Sequence, residues 1–299
     1  MKPMASLALR VVAWLAVLCA TLMSGALLLG QGLPRGRVIA FTSTRDGNSD
    51  IYLLDIFTHH FTRLTHNQSS DNDPTWSPDG RQLAFTSYRN SNFDIYTMNV
   101  DGSNLRRVTV HRGDDFAPEW SPDGKHIVFT SYRNGYYQIF RIDADGSDEF
   151  ALTDNLSGDY NPAWSPDGDS IVFASYRGGL SQLFLMDADG HHQRLLATID
   201  ASAFDPDWSP DGARILFSTY TSQNRYQLFV INADGSDLRR IPIEDPTIFS
   251  PVWSPDGQQI AFLSWRTGVG SIYVADIGAN VESLLTDRAV DNYAPAWQP

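Results

Sequence analysis

The pentapeptide Trp-Ser-Pro-Asp-Gly begins at Trp76, Trp120, Trp164, Trp208 and Trp253. A sixth tryptophan, Trp297, stands in Ala-Pro-Ala-Trp without the turn that follows the others. Successive tryptophans lie 44, 44, 44, 45 and 44 residues apart. A fixed period of this length means equal supersecondary units, and that restricts the fold before any single residue does. One unit, Asp73 to Thr109, divides into four short extended runs. Pro-Thr-Trp comes first. Ser-Pro-Asp-Gly is a turn, with Pro fixing φ and Gly accepting a positive one. Gln-Leu-Ala-Phe-Thr-Ser is the second run and Asp-Ile-Tyr-Thr-Met-Asn the third. Asp101-Gly102 closes a hairpin onto Leu-Arg-Arg-Val-Thr. Four short strands per unit and no helical period predict an all-β, six-bladed β-propeller of four-stranded blades over residues 37–299.

Proline precedes every repeat tryptophan by two positions, at 74, 118, 162, 206, 251 and 295. It has no N–H to give to a ladder, so it suits an innermost edge strand. The head of the repeat region starts directly at a second run, Val38 to Ser43. The tail supplies a first run ending at Trp297. One strand from the tail and three from the head would complete the sixth blade and close the ring, which removes open sheet edges.

Residues 1–36 differ from the rest. Lys2 and Arg10 precede an uncharged, mostly apolar run from Val11 to Gly30, long enough at 1.5 Å per residue to span a bilayer core. The expectation is a signal-anchor, with a helix over about residues 11–30 and the short basic end inside. The propeller would then stand on the extracytoplasmic side of the cell membrane. Cleavage near Ser24–Ala26 would instead release it as a secreted or periplasmic domain. Removing Lys2, Arg10 and Arg35 takes the formal charge from −13 to −16, which gives no general attraction for nucleic acid. The sole cysteine, Cys19, lies in the anchor, so no intrachain disulfide forms. Oligomeric state is open, with a monomer as the default.

The repeat resembles the WD40-like β-propeller repeat of TolB-type proteins. The resemblance rests on the five Trp-Ser-Pro-Asp-Gly copies in register and spans residues 37–299. It implies the propeller fold. The same repeat serves many roles, so it does not carry a function across. Proteins of the TolB type also have an α/β domain before the propeller, for which residues 31–37 leave no room, and they are secreted, whereas this chain reads as tethered.

Catalytic patterns are missing from the sequence. It has no Gly-x-Ser-x-Gly and no His-Glu-x-x-His. His59-His60 and His191-His192 fall on opposite blades and cannot share a metal. Asp143 to Asp148 resembles a calcium loop, but Gly146 comes too early for one. No cofactor is expected. A propeller hydrolase or lactonase would need an isolated acidic or metal cluster in the channel, and none is visible in the sequence.

One arrangement at the channel mouth is informative. Arg89, Arg133, Arg177 and Arg266 stand thirteen residues after their tryptophans, with Arg45 as first-blade counterpart. Asp71, Asp115 and Asp159 stand five before. The simple expectation is a ring of exposed Arg–Asp pairs stitching blade to blade, each worth about 0–1 kcal/mol. Thr221 and Ala203 break the pattern together, and Ile248 leaves Arg266 without its usual partner. That sector should present Ala203, Phe204, Tyr220, Ile248, Phe249, Trp265 and Arg266, of which the aromatic residues and Arg are types enriched at binding hot spots. The reading is a non-enzymatic scaffold that docks a protein or peptide there. The alternatives are a cell-wall or glycan binder using the same rings, and the hydrolase.

Overall fold

The computed structural model describes residues 36–133, 135–223, 225–278 and 282–299. Apart from Gly36, the anchor expected over 1–36 lies outside these residues. Among the described residues no helix is long and apolar enough to cross a membrane, and all regular structure is β. Six four-stranded antiparallel sheets form the blades of a propeller.

Each blade follows the repeat. In the second blade Asp71–Trp76 is innermost, followed by Gln82–Ser87, Asp94–Asn99 and the short outer Arg106–Arg107. The first blade is the composite one. Asn292–Trp297 is antiparallel to Val38–Ser43, with Ile39 opposite Trp297 and Ser43 opposite Asn292. Head and tail therefore close the ring.

Second strands are covered on both faces by neighbouring blades, which is why they read as unbroken apolar runs. Phe41, Phe85, Phe129, Phe173, Phe217 and Phe262 occupy one repeat position and are fully buried. The repeat tryptophans point toward the preceding blade. Trp208 joins a cluster with Ala163 and Val172, and Trp297 one with Ala261 and Ile272. Trp76 Nε1 donates to Ala296 O at 3.1 Å, and Trp208 Nε1 to Ala163 O at 3.2 Å. These indoles, rather than the Arg–Asp pairs, join blade to blade.

The turn explains the rest of the pentapeptide. Ser77 Oγ donates to Asp79 Oδ1 at 2.7 Å and accepts from Gln82 N at 2.9 Å, while Asp79 Oδ1 accepts from Arg81 N at 3.0 Å. Gly80 holds φ at 67°. The geometry recurs at Ser121, Ser165, Ser209 and Ser254. The Ser121 hydroxyl lowers the Asp123 carboxyl to about 2. These aspartates are engaged in folding the chain.

Each innermost strand carries a β-bulge just before its proline. The residue three before each tryptophan is left-handed: Asp73, Ala117, Asn161, Asp205, Ser250 and Ala294 have φ between 46° and 51°. Ladder register shifts there in every blade, for example between Asn72 and Thr75. The missing proline N–H and the bulge coincide, so no ladder bond is lost.

Candidate functional site

The loops joining second to third strands, and outer strands to the next innermost strand, share one face around the channel mouth. The arginines there are fixed by their own blades. Arg89 Nη2 lies 3.0 Å from Asp71 Oδ2, and Arg177 Nη2 3.0 Å from Asp159 Oδ2. Arg133 reaches Asp115 at 3.5 Å and also pairs with Glu149. Each guanidinium lies over an aromatic ring of its own sheet: Arg89 over Tyr96 at 5.0 Å, Arg133 over Phe140 at 4.2 Å, Arg177 over Phe184 at 4.9 Å. Two expectations are corrected. The pairs act within a blade, and their aspartates are fully buried, so they are not exposed pairs of small value.

Arg266 also has a partner. Its Nε lies 2.7 Å from Asp245 Oδ2 and its Nη1 2.7 Å from Glu282. Asp245 accepts the Ser264 hydroxyl as well, as Asp71 accepts that of Ser87. The loop before Ile248 brings in a carboxylate by another route, so a fixed repeat offset could not find it. Ala203 and Ile248 are fully buried. They fill the place of the buried aspartate and present nothing to a partner. Phe204 and Phe249 are partly buried, whereas Tyr220 and Trp265 are 38% and 37% exposed.

The exposed members belong to a larger arrangement. Ring centroids run from Tyr88 to Phe93 (4.9 Å), Phe93 to Phe116 (5.1 Å), Phe116 to Tyr137 (6.5 Å) and Tyr137 to Tyr160 (4.8 Å). They continue from Tyr160 to Tyr176 (5.8 Å) and Tyr176 to Phe204 (6.3 Å). A second run on the same face goes from Tyr220 to Tyr226 (4.7 Å) and from Tyr226 to Phe249 (5.3 Å). Together the two runs form an aromatic arc whose contacts cross four blade junctions, from the second blade to the sixth. It is made by three repeat positions: four before the tryptophan, twelve after it, and the start of the third strand. Attention to the one blade that lost its arginine reached only one end of the arc. Aromatic residues recurring at those offsets were the available signal. The first blade interrupts it with Thr44 and Ser49, and Tyr293 donates there to Asn72 at 3.3 Å.

Below the arc the innermost strands carry carboxylates. Burial, then the charge of Asp205, raises Asp73 to about 6. These two belong to opposite blades, so the influence crosses the axis. Burial raises Asp205 and brings Asp207 to about 7. Burial, then Asp207, raises Glu119 well above its ordinary value. Asp205 accepts from Ser250 N at 3.2 Å, Asp207 from Trp253 N at 2.6 Å, and Glu119 from Trp164 N at 3.0 Å. The channel thus does hold a group of acids. Their repeat positions are one and three before the tryptophan, where other blades place Ala, Asn, Thr, Ser or Val, so no motif announces them. Among the described residues no set of three His, Cys, Asp or Glu side chains is placed to hold a metal ion.

The histidine pairs lie away from this face. His192 Nδ1 is 2.5 Å from Asp187 Oδ2 at an exposed hairpin, and that carboxylate raises the imidazole. The Asp143–Ser147 segment is a hairpin turn in which Asp145 Oδ1 accepts from Ser147 N at 3.0 Å.

Residues 110–224 match the family model of the TolB beta propeller domain, and residues 56–152 that of the Tricorn protease N-terminal beta propeller domain. No curated protein matches the chain. Among solved structures it resembles TolB from Acinetobacter baumannii, at 21% identity and a TM-score of 0.79, over 90% of this chain and 69% of that one. A chain of a Nidogen/Laminin complex gives 12% identity and a TM-score of 0.73, over 88% and 98%. Oligogalacturonate lyase from Vibrio parahaemolyticus gives 16% and 0.61, over 85% and 75%. At these identities the likeness is one of fold, shared by a protein of a protein–protein complex and by an enzyme alike.

Proposed function

We propose, on the footing that the propeller of this chain is of the TolB type, that it is a membrane-tethered extracytoplasmic scaffold. In this reading it binds a protein or peptide at the channel mouth and performs no chemistry. The aromatic arc supports this most directly. Tyr88, Tyr132, Tyr176, Tyr220 and Trp265 expose between 37% and 46% of their surface on one face, on rigid blades that require little ordering upon binding. Aromatic anchors of this kind dominate binding hot spots. The tether is proposed from the apolar run Val11 to Gly30.

In-cell crosslinking of the tagged full-length chain tests the reading. Wild type is compared with Tyr137→Ala/Tyr160→Ala at the centre of the arc and with Trp265→Ala, an exposed ring of the sixth blade on the same face. A protein crosslinked to wild type and lost from the double variant supports docking on the arc. A crosslinked protein retained by both variants refutes it. Tyrosine faces also stack on sugars, so a polysaccharide pull-down sensitive to the same double variant would favour the glycan-binding alternative.

A further inference from the structure

We infer that the occupant of the mouth is an extended polypeptide segment that presents an arginine or lysine to the channel, its cation held between the aromatic arc and the carboxylates of Asp73 and Asp205. The inference rests on the proposed docking role and specifies the partner's chemistry. Three observations carry it.

First, the rings and the acids are contiguous. Asp205 follows Phe204 directly on its innermost strand and accepts from the N–H of Ser250, the residue after Phe249, so rings of two blades flank it. Asp73 follows Asn72, whose side chain accepts from the Tyr293 hydroxyl at 3.3 Å. Aromatic faces beside a carboxylate attract a cation twice over, by ring quadrupole and by charge.

Second, among the described residues no cation pairs with Asp73 or Asp205. Among the described residues, Asp205 accepts hydrogen bonds only from Ser218 and Ser250, and none donates to the Asp73 carboxylate. The arginines of this face are already engaged: Arg45 with Asp287, Arg89 with Asp71, Arg133 with Asp115 and Glu149, Arg177 with Asp159, and Arg266 with Asp245. None of them neutralises the axis.

Third, the propeller has a formal charge of −16 once Lys2, Arg10 and Arg35 are set aside. Such a surface steers basic segments inward and repels acidic ones.

The test uses the full-length chain in non-ionic detergent at about pH 8, above the value of about 6 to which Asp73 is raised. Fluorescence anisotropy is followed with a labelled oligo-arginine peptide and with its oligo-citrulline isostere, which has the same shape without charge. Asp73→Asn/Asp205→Asn removes the channel charge. Asparagine tolerates the left-handed backbone, as Asn161 does at the same repeat position. Asp101→Asn/Asp145→Asn removes the same charge from exposed hairpin tips. The expected result is about tenfold tighter binding of the arginine peptide, lost in the channel variant and kept within about twofold in the hairpin variant.

Equal binding of the two peptides overturns the inference. So does an equal loss in both variants, which would mark diffuse attraction, and so does no binding. If both peptides bind equally and Tyr137→Ala/Tyr160→Ala abolishes it, docking on the arc survives while the cationic occupant does not.

Discussion

Arg266 Nε lies 2.7 Å from Asp245 Oδ2, so the sixth blade rebuilds, with a carboxylate from a different place in the chain, the clamp that Arg89 and Asp71 make in the second. In both, the carboxylate is almost entirely removed from water and the guanidinium covers it. Breaking such a pair from the arginine side leaves a buried charge unpaired.

Arg89→Ala should therefore cost about 3 kcal/mol of stability, well beyond the value of a surface pair. Arg89→Ala/Asp71→Ala, which imitates the Thr221 and Ala203 of the fifth blade, should recover most of that loss. A double-mutant cycle by denaturant unfolding measures the coupling. Strictly additive losses would show that the clamp does not act as a unit.

The channel carboxylates set a pH dependence. Burial raises Asp207 from 3.8 to about 7, so the folded chain holds this proton more tightly than the unfolded one. It binds more protons between about pH 4 and pH 7, and stability falls as pH rises through that window. Asp207→Asn, which keeps an acceptor for Trp253 N, should stabilise by about 1–2 kcal/mol at pH 8 and by almost nothing at pH 4. Melting curves of both proteins across the range provide the measurement, and a pH-independent difference would rule out this cause.

Closure by the tail is open to direct test. Deleting Asn292–Pro299 removes the innermost strand of the first blade and Trp297, exposing the edge of Val38–Ser43. The truncated chain should lose its cooperative melt and aggregate, as an unpaired, flat apolar edge does. A monomeric, cooperatively melting truncation would mean that five complete blades hold the ring without it.

The arc should behave as a graded surface. Trp265→Ala removes an exposed ring of the sixth blade on the same face, and Tyr137→Ala/Tyr160→Ala removes two that touch at 4.8 Å across a blade junction. Partner binding should weaken by about tenfold or more for the double variant and less for Trp265→Ala. The Tyr137–Tyr160 contact itself should contribute only about 1 kcal/mol to the loss of stability, measured as the coupling between the two single variants. Titration of the identified partner against each variant gives the order, and a reversed order would relocate the hot spot to the sixth blade.

The sequence by itself determined the propeller, its six blades, the closure of head on tail and the role of Trp-Ser-Pro-Asp-Gly. Each of these follows from short-range chemistry repeated at a fixed period: alternating strands, a proline that fits an edge, a glycine that accepts φ of 67°. The joint loss of Arg and Asp in the fifth blade was likewise legible, because Thr221 and Ala203 sit at fixed offsets. Only the tertiary structure decided how residues far apart in the chain meet. Asp245 reaches Arg266 through an irregular loop, Ala203 and Ile248 turn inward, and Asp73 and Asp205 face one another because the ring places the second and fifth blades across one axis. Such encounters depend on blade angle and ring closure, and a one-dimensional period contains neither.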